Sequence, residues 1–171
     1  RRQCVRGPQG VTRGAACCSQ IAVGTTQYMV FENAKLRHVA TILLHSGGSG
    51  IGSGAIKMAK ALGCTCITTV GDDAKAEKAK ALGADHVINY KTEDFAAVAR
   101  KLTDKRGVDV VIEHVGGDTF VGSIKAVRNG GRIDTCGATS GFTPAIDLRH
   151  IFFRQIEVLG STMGAKSDLL R

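Results

Sequence analysis

Residues 41–63 read TILLHSGGSGIGSGAIKMAKALG. Ile42, Leu43 and Leu44 make a short apolar run that predicts a buried strand. Gly47, Gly48, Gly50, Gly52 and Gly54 then predict a loop. Ile51, Ala55, Met58, Ala59 and Leu62 share one helical face, which ends at Gly63. A strand, a glycine turn and a helix bring unpaired N–H groups and a positive dipole end to one point, where an anion such as phosphate can bind. A Cβ in the turn would block the close approach of a pyrophosphate. The fingerprint G-x-G-x-x-G is imperfect: with its last glycine at Gly52 and its first at Gly47, the middle position is Ser49. A flexible loop without a ligand is the alternative for this stretch alone.

Downstream the pattern repeats. Cys64–Val70 predicts a second strand, followed by a turn at Gly71 and Asp72, an N-cap at Asp73 and a helix running to Gly83. AKALG occurs at 59–63 and again at 79–83, the same helix ending used twice. His86–Asn89 predicts a third strand, and Thr92 the cap of a helix carrying Phe95, Val98, Ala99 and Leu102. Val108–Val115 predicts a fourth strand. A helix with Phe120, Ile124 and Val127 follows, ending at Gly130, and Gly131–Gly137 predicts a fifth strand. Asp147 is the expected cap of a short helix through Phe153, and Ile156–Ser161 the sixth strand. Residues 24–36 read as a helix, 37–40 as a connection, and 1–23 as irregular. Strands alternating with helices at this spacing predict an α/β, Rossmann-type, doubly wound parallel sheet of six strands with helices on both faces. Residues 24–171 are read as one nucleotide-binding domain.

Composition narrows the function. The net charge is +8, of which Arg1, Arg2, Arg6 and Arg13 supply half from an opening segment without acids. The remaining lysines spread over predicted helices as solvated faces. No basic stripe with aromatic platforms appears, which argues against a nucleic-acid partner and for a small anionic ligand. No apolar run reaches the ~18 residues of a membrane span, and no apolar h-region follows the basic start. The six cysteines (4, 17, 18, 64, 66 and 136) contain no Cys-x-x-Cys pair, and Cys64 and Cys66 fall on one face of a strand. They read as reduced structural thiols in a cytoplasmic protein, with no metal site.

In such sheets ligands bind beyond the carboxyl ends of the strands. The candidate segments are Ser46–Gly52, Val70–Lys75, Asn89–Tyr90, Glu113–Gly117 and Cys136–Ser140. An NAD site places a carboxylate at the end of the second strand, about 20 residues past the glycine turn. Here that end is Thr69-Val70-Gly71, and Asp72 and Asp73 are better placed as helix caps. Lys75 falls in the first turn of the next helix, where a cation opposes the dipole unless an anion is near. A 2′-phosphate would be such an anion; a lysine pointing into solvent is the plain alternative. The missing carboxylate also argues against S-adenosylmethionine.

The chain resembles the cofactor domain of the medium-chain dehydrogenase/reductase superfamily, in the branch of zinc-free quinone oxidoreductases and NADPH-dependent enoyl reductases. The resemblance rests on HSGGSGIG at 45–52, ALGADHVINY at 81–90, GVDVVIEHVGGDTF at 107–120, GGRIDTCGATSG at 130–141 and VLGSTMG at 158–164. It implies an NADP(H) cofactor. By resemblance, Thr25 would contact its phosphates or nicotinamide end, and Gly48, Ser49, Gly50 and Ile51 would cradle the pyrophosphate. Gly71, Lys75 and Tyr90 would hold the 2′-phosphate. His114, through its backbone, and Cys136 and Gly137 would line the ribose and nicotinamide. The edge around Val158–Ser161 would pair two copies into a homodimer.

Departures accompany the likeness. The superfamily's catalytic domain finds no counterpart in residues 1–23, and Arg37-His38-Val39-Ala40 stands where a proline-glycine turn is usual. The proton donor and substrate wall are therefore not assigned, and this stretch alone is expected to be inactive. The resulting reading is the nucleotide-binding portion of an oxidoreductase that passes hydride to a quinone, an enone or another activated alkene or carbonyl. The alternative is a non-catalytic dinucleotide-binding module.

Overall fold

The computed structural model describes residues 9–163. Cys4 and the arginines at 1, 2 and 6 lie outside the described residues. Six parallel strands run β1 (Thr41–Leu44), β2 (Thr65–Val70), β3 (His86–Asn89), β4 (Val108–Glu113), β5 (Val127–Thr135) and β6 (Glu157–Gly160). Their order in the sheet is β3-β2-β1-β4-β5-β6. The chain leaves β1 in one direction for β2 and β3 and returns on the other side for β4 to β6. The switch therefore falls between β1 and β4, which pair directly through Ile42–Val110, Leu43–Val111 and Leu44–Ile112.

Alternation along β1 explains why both faces are covered. Ile42 and Leu44 pack with Met29, Val30, Ala55, Ile56 and Ala59 on one side, while Leu43 packs with Ile67, Ile88, Phe120 and Ile124 on the other. All three β1 residues are fully buried, as an apolar strand between two helical layers must be. Cys64 and Cys66 share the first of these clusters, so their common face is structural. Burial pushes the Cys66 thiol up to about 12, and Cys136 up to about 11. Cys17, Cys64, Cys66 and Cys136 are all free.

The helices α3 (Gly50–Ala61), α4 (Asp73–Ala81), α5 (Phe95–Leu102) and α6 (Gly117–Ala126) fill the expected crossovers. Several boundaries differ from the sequence reading. The cap of α4 is Asp72, whose side chain accepts the Lys75 N–H; Asp73 is already helical. The cap of α5 is Asp94, not Thr92, because the Asp94 carboxylate accepts from both Ala96 and Ala97. Helix α6 stops at Ala126, and Val127 is in β5, paired with Val108 before a bulge that resumes at Val110–Arg132. Gly130 therefore closes the bulge, not the helix. The N-cap of α7 (Arg149–Phe152) is Leu148, not Asp147, although the Asp147 carboxylate accepts the Arg149 N–H, and the helix ends one residue short of Phe153.

The segment expected to be irregular is helical from residue 13. The run continues through α1 (Arg13–Cys18), a π-helical turn (Ser19–Val23), α2 (Gly24–Gln27) and a second π-helical turn (Tyr28–Asn33). The alternation of α and π turns breaks a fixed 3.6-residue period, which is why no single period showed in the sequence. Among the described residues, no helix is long and apolar enough to cross a membrane.

The connection at 37–40 enters β1 with Val39 in the left-handed region, at φ +60. The side chain there is exposed and β-branched, so nothing in the packing offsets the local strain. Val39→Gly relieves a strain of order 1–3 kcal/mol and gives back about 0.5–1 in chain entropy. A net stabilisation of about 1 kcal/mol is expected, read as a higher urea midpoint at unchanged slope.

Candidate functional site

At the switch point the chain leaves β1 through His45 and Ser46 into the glycine turn. Ser46 takes a left-handed conformation at φ 52, and its carbonyl closes a turn onto the Ser49 N–H at 2.8 Å. Gly52 packs on the same carbonyl: a Cβ there would lie 2.3 Å from Ser46 O, so no other residue fits without moving the turn. Ser49 is the N-cap of α3, and its Oγ accepts the Gly52 N–H at 2.9 Å. Among the described residues, the N–H groups of Gly48, Gly50 and Ile51 have no acceptor within the chain. The sequence reading grouped Ser49 with these donors. Its N–H is already spent on the turn, and its role is to shape it.

Thr25 is buried on α2. Its neighbour Thr26 makes the contact with the turn, its Oγ1 donating to Ala22 O at 2.7 Å and approaching Ile51 O at 3.5 Å. Thr26 was not expected from sequence, since both threonines fit one helical pattern equally well.

At the end of β2, a cavity of about 260 Å³ is lined by Ser46, Gly48, Ser49, Val70, Gly71, Lys75 and Tyr90. The predicted cluster Gly71, Lys75 and Tyr90 is thus brought together. The Tyr90 hydroxyl lies over Gly71, where an added Cβ would stand 2.7 Å from it. Lys75 is not a lone cation: its Nζ lies 2.9 Å from Asp72 Oδ2. The anion needed in that first turn is therefore supplied by the chain itself. A second cavity, about 330 Å³, continues past Tyr90 and is walled by Thr69, Phe95, Val115, Asp118, Thr119 and Ser140. A larger one, about 450 Å³, lies at the opposite end of the strands, where Arg106 and Arg128 both pair with Asp109. It is larger than either cavity at the carboxyl ends, but ligands of open α/β sheets bind at the carboxyl ends.

Beyond β4, the loop 114–117 packs on the loop after β5. The Cys136 N–H donates to Glu113 O and the Ser140 N–H to Val115 O, and the Thr139 Oγ1 donates to His114 O. Cys136 and Gly137 thus line the same wall as His114. The His114 ring also reaches Ser49 Oγ with Nε2 at 3.4 Å, so more than its backbone faces the turn. Its Nδ1 is buried without a partner among the described residues. Burial lowers its pKa below the ordinary histidine range.

Beneath both loops runs a buried polar chain that the sequence reading missed. The Ser46 N–H donates to Thr69 Oγ1 at 3.3 Å, and Thr69 Oγ1 lies 3.1 Å from His45 Nδ1. His45 Nε2 lies 2.9 Å from Ser123 Oγ, which donates to Glu113 Oε2 at 2.8 Å. Glu113 also accepts from Thr119 Oγ1 and from the N–H groups of Val115 and Gly116. One proton arrangement satisfies every bond: a neutral His45 that donates from Nε2 and accepts at Nδ1, and an ionised Glu113. Burial drives His45 down to about 4, against the pull of Glu113. Against burial, the N–H groups of Val115 and Gly116 and the Ser123 hydroxyl hold Glu113 below the usual carboxylate range. Phe95 packs edge-on to the imidazole at 4.9 Å.

With this geometry in hand, comparison places the chain. Its sequence matches the family described as zinc-binding dehydrogenase over residues 50–170. The chain belongs to that family, within the medium-chain dehydrogenase/reductase superfamily. It is 38% identical over 122 residues to a 2-haloacrylate reductase from Burkholderia sp, covering 71% of this chain and 37% of the relative. It is 33% identical over 162 residues to a quinone oxidoreductase from Pseudomonas aeruginosa, covering 94% of this chain and 50% of the relative. The chain therefore spans half or less of the length of these relatives. Among solved structures, an NAD-dependent alcohol dehydrogenase superposes with a TM-score of 0.91 at 38% identity, covering 97% of this chain and 48% of that one. A mycobacterial protein complexed with NADPH superposes at 0.83 and 30% identity, covering 90% and 48%. These neighbours support a nicotinamide dinucleotide as the cofactor class. Among the described residues, no group of three or more His, Cys, Asp or Glu is placed to hold a metal ion.

Two outcomes test the buried chain. Glu113→Gln puts an amide where four donors converge and is expected to cost about 2 kcal/mol in urea unfolding, the range for unsatisfied buried donors. Because the folded state refuses a proton on His45 until about 4 while the unfolded state accepts one near 6.5, this group's stabilisation is full above 6.5 and lost as pH falls towards 4. His45→Gln is expected to flatten the unfolding midpoint over that window.

Proposed function

We propose that this chain is the cofactor-binding part of an NADP(H)-dependent oxidoreductase that passes hydride to a quinone, an enone or another activated alkene or carbonyl. The observation that carries the reading is the set of free N–H groups at Gly48, Gly50 and Ile51, next to the cavity formed by Gly71, Lys75 and Tyr90. Three donors at a helix N-terminus suit a pyrophosphate, and the ammonium beyond them suits a 2′-phosphate. The aromatic-walled cavity past Tyr90 suits the adenine. The wall of His114, Cys136 and Gly137 would then run along the ribose and nicotinamide. The thiol of Cys136, held protonated by burial, is no nucleophile there.

When bound, the nicotinamide supplies the hydride. The chain's own part is to orient that ring and neutralise the phosphates. The 2-haloacrylate reductase and quinone oxidoreductase relatives support a small unsaturated or quinonoid acceptor.

Fluorescence titration should show NADPH binding several-fold tighter than NADH. Lys75→Glu removes the ammonium while placing an acid in the first turn of α4, which the helix dipole favours, so the fold is retained. It is expected to abolish the preference, chiefly by weakening NADPH. Equal affinity of the unsubstituted protein for the two nucleotides would contradict the NADP(H) assignment.

A further inference from the structure

The nucleotide reading leaves unused the cavity of about 450 Å³ at the amino ends of the strands, and the charge there is unbalanced. Lys35, Arg37, Arg106, Arg128 and Arg132 line it, and Asp109 is the one carboxylate among the lining residues. That carboxylate is saturated. Its Oδ2 accepts the Thr41 N–H at 2.8 Å, Arg106 bonds both oxygens, and Arg128 Nε bonds Oδ1 at 2.6 Å. Against burial, Arg106, the Thr41 N–H and Arg128 hold Asp109 down to about 2, so it stays ionised and keeps both guanidiniums in place. Arg132 pairs with Glu157. Two carboxylates thus answer five cations, which leaves three positive charges unmatched.

The surplus can be located. Among the described residues, Lys35 Nζ and the Arg37 guanidinium have no hydrogen-bond or ion-pair partner. Arg128 uses Nε on Asp109 and Nη1 on Asn129 O, and its Nη2 has no acceptor among those residues. Arg154, at the same end of the sheet, answers a helix carbonyl at Ile124 O, which accounts for its charge; Lys35 and Arg37 have no such duty. They flank Leu36, which is buried and donates its N–H to Val30 O at 2.9 Å, so the backbone between the two cations is anchored. The same wall holds two left-handed residues that are not glycine, Lys35 at φ 48 and Val39 at φ 60. Such conformations persist where the surroundings fix a shape, and they gather at ligand clamps.

We propose that this cleft is a second ligand site, which binds a phosphate group through Lys35, Arg37 and Arg128. A phosphate dianion matches a surplus of this size better than one carboxylate does, and guanidinium N–H groups pair with its oxygens. The cleft is larger than a free phosphate fills, and Leu36, Val39 and Val110 give it an apolar side, which favours a small phosphate ester. Dinucleotides of open α/β sheets bind at the other end of the strands, so the occupant is not the cofactor. The site stands independently of the nucleotide reading.

The test follows backbone amide and arginine Nε–H resonances by NMR while inorganic phosphate or glucose 6-phosphate is added at constant ionic strength, with glucose as the uncharged control. Each titration is run without NADPH and with it, so that phosphate lodged at the glycine turn is displaced while phosphate in the cleft is not. Saturable shifts at Lys35, Arg37 and Arg128 are expected with both anions, to persist with NADPH present, and to be absent with glucose. Tighter binding of glucose 6-phosphate identifies an ester as the occupant; tighter binding of inorganic phosphate identifies the free ion. The double substitution Lys35→Asn and Arg37→Gln keeps the backbone, because asparagine tolerates the left-handed region and the residue 37 carbonyl retains its bonds from Ala40 N–H and Cys64 Sγ. It is expected to weaken the anions about tenfold, the effect of losing two exposed charge contacts, with the NADPH affinity and the urea midpoint unchanged. Shifts confined to the glycine turn, no saturation, or equal anion affinity in the double variant would overturn the second site and leave the nucleotide reading standing. Failure of NADPH to bind the unsubstituted protein, with the cleft still saturating, would overturn only the nucleotide reading.

Discussion

The chain of hydrogen bonds from Ser46 through Thr69, His45 and Ser123 to Glu113 ties together two loops that the sheet alone only brings near each other. β1 and β4 are neighbours at the point where strand order reverses, so their outgoing loops form the two lips of a groove. Backbone pairing ends with the strands. What fixes the lips thereafter is a histidine that spans them and a carboxylate that collects donors from the far side. Every member of the chain is buried or nearly so, and in that setting a satisfied network rigidifies while a broken one is costly.

A rigid groove is what an anion site at a helix end requires. Donors that must be held outward gain nothing from a flexible turn, and here the turn is pinned at three places. The Ser46 carbonyl closes it, the Ser49 hydroxyl caps it, and Gly52 lets it lie flat against α3. Among the described residues, the N–H groups left over have no acceptor within the chain. At the far end the balance is electrostatic: Lys75 is neutralised in place by Asp72, which makes the pocket less basic than its lysine suggests. The fold and the turn thus offer the free donors that an anionic ligand needs, beside a lysine already paired within the chain.

Much of this was legible in the residues. The apolar run 42–44, the glycine turn and the alternation of strand and helix identify the architecture because hydrophobic period and turn chemistry are local properties. The cluster at Gly71, Lys75 and Tyr90 was legible through resemblance, since its members come from two separate strand ends. What escaped was set by partners distant in sequence. His45 and Glu113 each look like ordinary strand residues until the sheet places them 3.5 Å apart. The pairing of Lys75 with Asp72 is local, but the sequence permits either aspartate to cap, and only the backbone decides between them. The helical run before residue 24 was hidden by its mixed α and π turns, and Val39 by the rarity of a β-branched residue at positive φ.

The proposed nucleotide site depends on outward-facing amides at the glycine turn. Amide resonances followed by NMR during titration with NADPH report on them without relying on affinity or turnover. The signals of Gly48, Gly50 and Ile51 are expected to shift together with that of Lys75, while those at the opposite end of the sheet, around Arg106 and Arg128, stay in place. Saturable NADPH binding that leaves the three turn amides unmoved, or that shifts the Arg106–Arg128 end instead, would contradict it.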